Sequence, residues 1–199
     1  MSATAAMRLR HRFRHDPAFA GGTVLVAMVV GAALFAPFLS PYNPLVGDLA
    51  RDYLTPPGGR FFAGADSQGR DVLTRVLYGA RLSLLVGVVS QTVAVTLGVA
   101  LGLIAGWYGK WVDAVVMRAA DITLAFPTLL LLIAVSAAVR PSLVVVFALI
   151  GVVGWAGMAR LVRGQVLVLR NAEYVLAARA LGAPGLRIMG RHLLPNVLG

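Results

Sequence analysis

The chain has 199 residues, of which 59% are hydrophobic and 13% charged, and its mean hydropathy is +0.82. Soluble domains average about 45–50% apolar and about 25% charged residues, so the composition predicts a membrane protein. The net charge of +10 does not indicate nucleic-acid binding, because the basic residues flank apolar runs and form no continuous stripe. The absence of cysteine excludes disulfides, thiolate metal sites and cysteine nucleophiles.

The first apolar run, residues 18–39, follows a basic arm at residues 1–17 and is long enough to span a membrane. We expect a retained anchor and not a cleaved signal peptide, because no small-residue cleavage site closes the run after Ala36. His11 and His15 lie four residues apart among the arginines of the arm, with no third ligand nearby. Contact of the arm with anionic lipid headgroups is therefore favoured over metal binding.

Residues 40–81 are predicted to form a segment outside the membrane. Prolines and glycines interrupt its first part, which is typical of a loop. Its last part, RDVLTRVLYGAR, places its apolar residues on one helical face, which predicts an amphipathic helix on the outer membrane surface. The alternative is a simple extension of the next span.

The phrase DSQGRD at 66–71 has its glycine at the wrong step for a calcium loop, and Leu77 stands where the closing glutamate is needed.

Three further apolar windows predict spans at about 82–106, 119–139 and 143–161, which makes four spans in all. Each span must be a helix, because backbone polar groups in lipid need partners within their own segment. The second span carries small residues at every fourth position, which lets another helix approach closely. Chance is the alternative explanation, since glycine is common in membrane helices. The predicted packing residues are Ser90, Ala94, Gly98, Gly102 and Gly106.

Three charged residues lie near the boundary of the third span: Asp113, Arg118 and Asp121. Arg118 and Asp121 are three residues apart and can pair on one helix face, which would fix the depth of the helix in the membrane. The other interpretation is a proton or ion relay. Pro127 is expected to bend or weaken this helix.

The distribution of basic residues predicts the orientation. With the N-terminus inside, twelve of the eighteen Lys and Arg residues lie in inside segments and six in outside segments. Because basic residues concentrate in cytoplasmic loops, the split favours a cytoplasmic N-terminus.

No enzymatic template is present. The only lysine, Lys110, is followed by tryptophan, so the chain has no phosphate-binding loop of the Walker type and should not hydrolyse ATP. No nucleophile, base and orienting group form a recognisable triad, and His192 stands alone. We therefore predict a protein that is not an enzyme and has neither a cofactor nor a metal.

Residues 170–196 are too polar for a span and read as two short helices. Asn171 is expected to cap the first helix, with Glu173 in its first turn. Gly182 suits the left-handed residue at the end of that helix, and Pro195 should push Leu194 out of the helical region. A short helix with small residues on one face can lie in a groove on another protein. The alternative is a helical hairpin that rests on the membrane surface.

The stretch EYVLAARALGAPGLRIMGRHLLPN resembles the EAA loop of permease subunits from binding-protein-dependent ABC importers, through its Ala177-Ala178, Gly182 and Leu194-Pro195 spacing. RHLLPN, GADSQGRDVLTRVLYGARLSLLVG at 64–87 and SPYNP at 40–44 resemble the dipeptide, oligopeptide and nickel branch. The chain departs from the pattern at Leu176, where glutamate is usual, and at Ala65, where threonine is usual.

The resemblance implies an all-α, polytopic helix bundle in the bacterial inner membrane. The family usually has six spans in such a subunit, so the chain, which ends at Gly199, reads as a fragment without the last two. The implied partners are a second homologous permease subunit, cytoplasmic ABC ATPase subunits and an extracytoplasmic solute-binding protein. Residues 170–196 would be the coupling loop. Its implied ATPase-contacting residues are Glu173, Tyr174, Ala177, Ala178, Gly182, His192, Leu194 and Pro195.

The function implied by the resemblance is import of dipeptides, oligopeptides or nickel, driven by ATP hydrolysis in the separate subunits. Two other classes stay open. An ion-coupled transporter or channel would rely on the charged residues of the third span. An intramembrane enzyme would need a polar cluster inside the spans, and Gln91, Thr92 and Thr96 are too inert to supply one.

Overall fold

The structure is a computed structural model that describes residues 16–138 and 142–198. The arm residues predicted to contact headgroups, His11 and His15 among them, lie outside these ranges. The described residues form helices and turns, with no strand. The chain divides after Leu85 into two compact units. The prediction of an all-α membrane fold is confirmed.

The first unit begins with helix α1, Pro17–Leu34, which is long and apolar enough to span a membrane. Asp16 caps it, because its Oδ1 accepts hydrogen bonds from the backbone N–H groups of Ala18 and Phe19 at 3.1 Å. A short helix, α2 (Ala36–Leu39), follows. Asp48 caps a second short helix, α3 (Leu49–Asp52), in the same way.

Helix α4 runs without a break from Val72 to Tyr108. The sequence predicted an amphipathic surface helix in the stretch RDVLTRVLYGAR. In the structure the helical part of this stretch is an extension of the span, which was the alternative interpretation. Nothing in this stretch stops a helix, because neither Gly79 nor Gly87 has a positive φ and no proline is present. At 37 residues, α4 is among the helices that can cross a membrane.

A broken helix pair follows α4. Helix α5 is Lys110–Ala125 and helix α6 is Thr128–Ala138, and the chain bends by 83° between them. The bend lies at Phe126 and Pro127, as predicted from the proline. Phe126 is extended, with φ −86° and ψ 132°, because a residue before proline is pushed out of the helical region.

Helix α7, Leu143–Leu169, packs along α4, and the two helices run in the same direction. Ser90 Oγ donates a hydrogen bond to the carbonyl oxygen of Phe147 at 2.8 Å. Further along, a Cβ atom on Gly98 would lie 2.5 Å from the Cβ of Met158, and one on Gly106 would lie 2.7 Å from the Cβ of Val166. Later residues of α4 thus contact later residues of α7, as expected for two parallel helices.

The parallel arrangement of α4 and α7 determines the path that the chain takes through the bent pair. Helix α4 ends at Tyr108, whereas α7 begins beside Ser90, about 27 Å back along α4 at 1.5 Å per residue. The chain from α5 to α6 must cover this return. The bent pair is therefore a broken span that carries the chain back and not a loop that re-enters on the same side.

The chain ends in four short helical pieces: α8 (Glu173–Ala180), α9 (Gly185–Ile188), a π-helical stretch (Met189–Leu193) and α10 (Leu194–Val197). Two sequence predictions are wrong here. Ala172, not Asn171, is the residue before α8, and the Asn171 amide donates instead to the Leu167 carbonyl at 3.4 Å. Leu194 stays helical, with φ −53° and ψ −47°.

The π-helical stretch explains how a helix passes through Pro195. Proline lacks an N–H group, and its ring clashes with the carbonyl of the residue four before it in an α-helix. Here the N–H of Leu194 bonds to the carbonyl of Met189, five residues back. This wider turn moves the carbonyls away from the ring, so the helix continues.

Candidate functional site

The 170–196 segment is fixed to the second unit through a buried side. Val175, Ile188 and Leu193 are fully buried. Burying one side chain of this size stabilises the fold by about 1.5–3 kcal/mol. The segment therefore sits on the ends of two long helices, α4 and α7. The buried cluster comprises Val99, Leu103, Val162, Val166, Val175, Ile188, Met189, Leu193 and Val197.

The opposite side of α8 is exposed. Glu173, Ala177 and Ala180 lie on its outward face, since Ala177 is about 200° around the helix from the buried Val175. Tyr174 and Leu176 border this face, with 41% and 48% of their surface exposed. No residue in the described part of the chain covers the face. A short helix on a rigid base thus presents small and apolar groups outward.

The other half of the predicted alanine pair faces inward. Ala178 is half-buried and packs against the core cluster. Its carbonyl accepts a hydrogen bond from the N–H of Ala183 at 3.1 Å, while the N–H of Gly182 donates to the carbonyl of Arg179 at 2.9 Å. With φ +78° at Gly182, these bonds form a Schellman motif. The prediction of a left-handed glycine at the end of α8 is confirmed.

The structure also brings together residues that are distant in the sequence. The rings of Tyr174 and His192 lie 6.4 Å apart at 44°, so His192 is not the isolated side chain that the sequence indicated. Leu194 is half-buried against the core cluster, whereas Pro195 is exposed. Of the predicted contact residues, Glu173, Tyr174 and Ala177 face outward, and Ala178 and Leu194 support them from behind.

The five small residues of α4 are all buried, and they lie in the second unit along the line where α4 meets α7. A Cβ on Gly102 would lie 2.6 Å from the carbonyl oxygen of Ala159, and Ala94 lies next to Gly154 of α7. The backbones approach closely only because these side chains are small.

The two aspartates of the broken span pair with arginines of α7. Asp113 accepts two hydrogen bonds from Arg163, at 2.9 Å from Nε and 2.5 Å from Nη2. Asp121 pairs with Arg160 at 2.5 Å. The predicted Arg118–Asp121 pair is therefore wrong, and Arg118 forms no ion pair within residues 16–138 and 142–198. Because an arginine on the neighbouring helix holds each carboxylate, these groups link α5 to α7, which removes the main support for an ion relay.

The loop of the first unit is organised around Asp66. Its carboxylate accepts hydrogen bonds from the backbone N–H groups of Gln68, at 2.8 Å, and Arg70, at 3.0 Å, and from the side chains of Arg70 and Arg75. Desolvation alone would raise the pKa of Asp66, but these donors together hold it well below its usual range. The Asp66 carboxylate is thus occupied by Arg70, Arg75 and two backbone N–H groups, so it is not a free ligand for calcium.

Sequence reasoning missed three residues that join the elements of the second unit: Trp107, Arg160 and Arg163. Both arginines lie near the end of an apolar run, where the sequence indicated only membrane orientation. The signal that could have found them is the matching number of opposite charges on α5 and α7. Trp107 gave no signal, because its partners come from residues far along the chain.

Comparison with known proteins agrees with these features. Residues 98–199 match the profile of the family described as binding-protein-dependent transport system inner membrane component. Residues 6–57 match the N-terminal transmembrane domain of oligopeptide transport permease C. The first match covers the helices from the last third of α4 to the end of the chain.

Three relatives are similar over most of the chain. The dipeptide transport system permease protein DppC of Bacillus subtilis is 41% identical over 92% of the chain. The oligopeptide transport system permease protein OppC of the same organism is 37% identical over 94% of the chain. The di/tripeptide transport system permease protein DppC of Pseudomonas aeruginosa is 40% identical over 94% of the chain.

The chain spans 56%, 61% and 63% of the lengths of these three relatives. The profile match nevertheless covers more than half of the chain. The chain belongs to the family of binding-protein-dependent transport system inner membrane components.

Proposed function

We propose that the chain is part of the membrane-spanning permease subunit of an ABC importer for dipeptides or oligopeptides. Family membership supports the transport role, and the names of the three relatives support peptides as the solute class. The chain itself has no phosphate-binding loop, so ATP would be hydrolysed by separate subunits.

The 170–196 segment is the proposed contact with the ATPase subunits. The observation that carries this assignment is the outward face of α8, where Glu173, Ala177 and Ala180 are exposed while Val175 is fully buried. A short helix with a shallow face fits into a groove on a partner. Because its base is packed on α4 and α7, force on α8 reaches both long helices.

The family's description as a component of a binding-protein-dependent system supports the remaining proposed partners. A second homologous permease subunit would complete the solute path, and an extracytoplasmic binding protein would deliver the solute. The excess of basic residues supports a cytoplasmic position for the N-terminus and for the 170–196 segment. Closing of the ATPase subunits on ATP would move α8, and the spans would then alternate between inward and outward access.

Co-purification tests the ATPase contact. The full-length subunit carrying Ala177→Arg should lose its ATPase partner, because a long charged side chain at the centre of the outward face blocks entry into a groove. Ala177→Ser is the matched control, since it keeps the residue small, and it should retain the partner. Both variants should show the circular dichroism of the unaltered subunit, because residue 177 is exposed. Retention of the ATPase by Ala177→Arg would contradict the assignment.

A further inference from the structure

Trp107 lies between two pieces of the 170–196 segment. It is the second-to-last residue of α4, and it packs against the buried cluster of the second unit. The guanidinium carbon of Arg179, on α8, lies 5.0 Å from the centre of the indole ring. A Cβ atom on Gly185, the first residue of α9, would lie 2.8 Å from the indole Nε1.

Each of these contacts depends on the residue type. An arginine over an aromatic face at this distance is attracted by the ring's negative charge distribution, and tryptophan gives the strongest attraction. Gly185 allows the backbone of α9 to approach the indole edge, and a side chain there would displace the ring. The indole is large and rotates about only two side-chain bonds, so it transmits displacement better than a flexible chain.

The end of α4 also contacts the end of α7. Arg170, just after α7, donates a hydrogen bond from Nη1 to the carbonyl oxygen of Gly106 at 3.0 Å. Gly106 itself lies against Val166, where a Cβ would approach the valine Cβ to 2.7 Å. Both α7 and the 170–196 segment therefore contact the last turn of α4. Movement of α8 relative to this turn would break the contacts of Trp107.

We propose that Trp107 is a positioning residue through which α8 moves the end of α4 during transport. The inference rests on the proposed function, because it assumes that an ATPase subunit moves α8. Trp107 does not reach the outward face of α8, so it acts after the ATPase has bound. Replacing Trp107 should leave ATPase binding intact, but ATP hydrolysis should no longer move α4.

The test compares solute uptake with ATP hydrolysis in the assembled importer reconstituted in vesicles with its binding protein. Trp107→Leu should keep its ATPase partner but lower the number of solutes imported per ATP by at least about fivefold, the lower end of common coupling between sites. Trp107→Phe, which keeps an aromatic face, should retain most of the ratio. Trp111→Leu is the control, because Trp111 is 74% exposed, and it should behave as the unaltered importer.

Two pairs of variants that keep the indole make the test independent of the folding of Trp107→Leu. Arg179→Gln should lower the same ratio, and Arg179→Lys, which keeps the positive charge, should restore much of it. Gly185→Ala should lower the ratio by displacing the indole. Gly164→Ala, on α7 and outside the 170–196 segment, should not, because a Cβ at Gly164 meets no atom within 4 Å.

A normal ratio in Trp107→Leu, or in both Arg179→Gln and Gly185→Ala, would overturn the inference. Loss of the ATPase partner from Arg179→Gln and Gly185→Ala would also overturn it, because the contacts would then serve assembly. These results differ from failure of the proposed function, which would appear in the unaltered importer as absence of a co-purifying ATPase.

Discussion

Asp66 lies at the centre of four hydrogen bonds and two ion pairs in the loop before α4. All the donors favour its ionised form, which is why its pKa is held well below the usual range despite desolvation. A carboxylate whose pKa is lowered by folding stabilises the fold at pH values above its unfolded pKa of about 3.9, and this contribution is lost as the pH falls through the folded value.

We therefore expect the loop around Asp66 to loosen progressively as the pH falls below about 4. Hydroxyl-radical footprinting of residues 54–72 in the solubilised protein would measure this as rising reactivity between pH 5 and pH 2. The Asp66→Asn variant should be loose already at pH 6 and should change little over that range, since it has no carboxylate to protonate. A variant with the same pH response as the unaltered protein would exclude Asp66 as the cause.

The bidentate pair of Asp113 and Arg163 gives a second prediction at this scale. Both side chains are more than half buried, with 18% and 34% of their surfaces exposed. Asp113→Asn should lower the free energy of unfolding by about 1–3 kcal/mol, because it leaves the guanidinium without its charged partner. Thermal unfolding in nanodiscs would measure the loss.

Arg163→Gln and the double variant complete a double-mutant cycle. The two changes together should cost less than the sum of the single changes, because they remove the same interaction. Arg118→Gln, on α5 like Asp113, should lie within about 0.5 kcal/mol of the unaltered protein, since Arg118 forms no ion pair among the described residues. Full additivity of the two single changes would show that the pair does not link α5 to α7.

Single residues were predictable where local backbone chemistry decided the outcome, and not where a distant partner did. Gly182 and Pro127 each impose a backbone geometry of their own, so the end of α8 and the break after α5 could be read from the sequence. Asp121 could equally have paired with Arg118 or with an arginine on another helix. Only the packing of α5 on α7 selects Arg160.

At the scale of helices, the contact between α4 and α7 depends on small residues. Gly102→Ala would place a Cβ 2.6 Å from the carbonyl oxygen of Ala159, which is backbone and cannot rotate away. The helices must then separate, so we expect a loss of about 1–3 kcal/mol in the free energy of unfolding, typical of overpacking. Unfolding by sodium dodecyl sulfate in mixed micelles would measure it.

Gly87→Ala is the matched control on the same helix. A Cβ at Gly87 meets no atom within 4 Å, so alanine should be neutral or stabilise the helix by up to about 1 kcal/mol. Equal effects at positions 87 and 102 would mean that helix propensity, and not close approach to α7, governs both positions.

The helices themselves followed from the apolar windows, but two boundaries did not. The window at 143–161 gave no reason to extend α7 to Leu169, because the added turns are amphipathic and are stabilised by packing under the 170–196 segment. The helix continues through Pro195 because of a π-helical turn, and no single residue in the stretch predicts such a turn.

At the scale of the whole molecule, the proposed orientation can be tested by labelling, and the chain has no cysteine to interfere. Leu181→Cys, at a site that is 88% exposed, should react with a membrane-impermeant maleimide only in inside-out vesicles. Phe62→Cys, at a site that is 83% exposed, should react only in intact cells. The reverse pattern would remove the 170–196 segment from the reach of a cytoplasmic ATPase.

Helix α4 is too long for the bilayer that it crosses. Its 37 residues extend for about 55 Å, whereas the hydrocarbon layer is about 30 Å thick. Even at a tilt of about 40°, the upper end of the usual range, the helix rises about 42 Å. Several of its turns therefore lie outside the hydrocarbon layer, among the headgroups or in water. Ser40 bonds to Thr74 in the first turn of α4, so the loop before α4 is attached to the helix and should move with it when a change in lipid thickness alters the tilt.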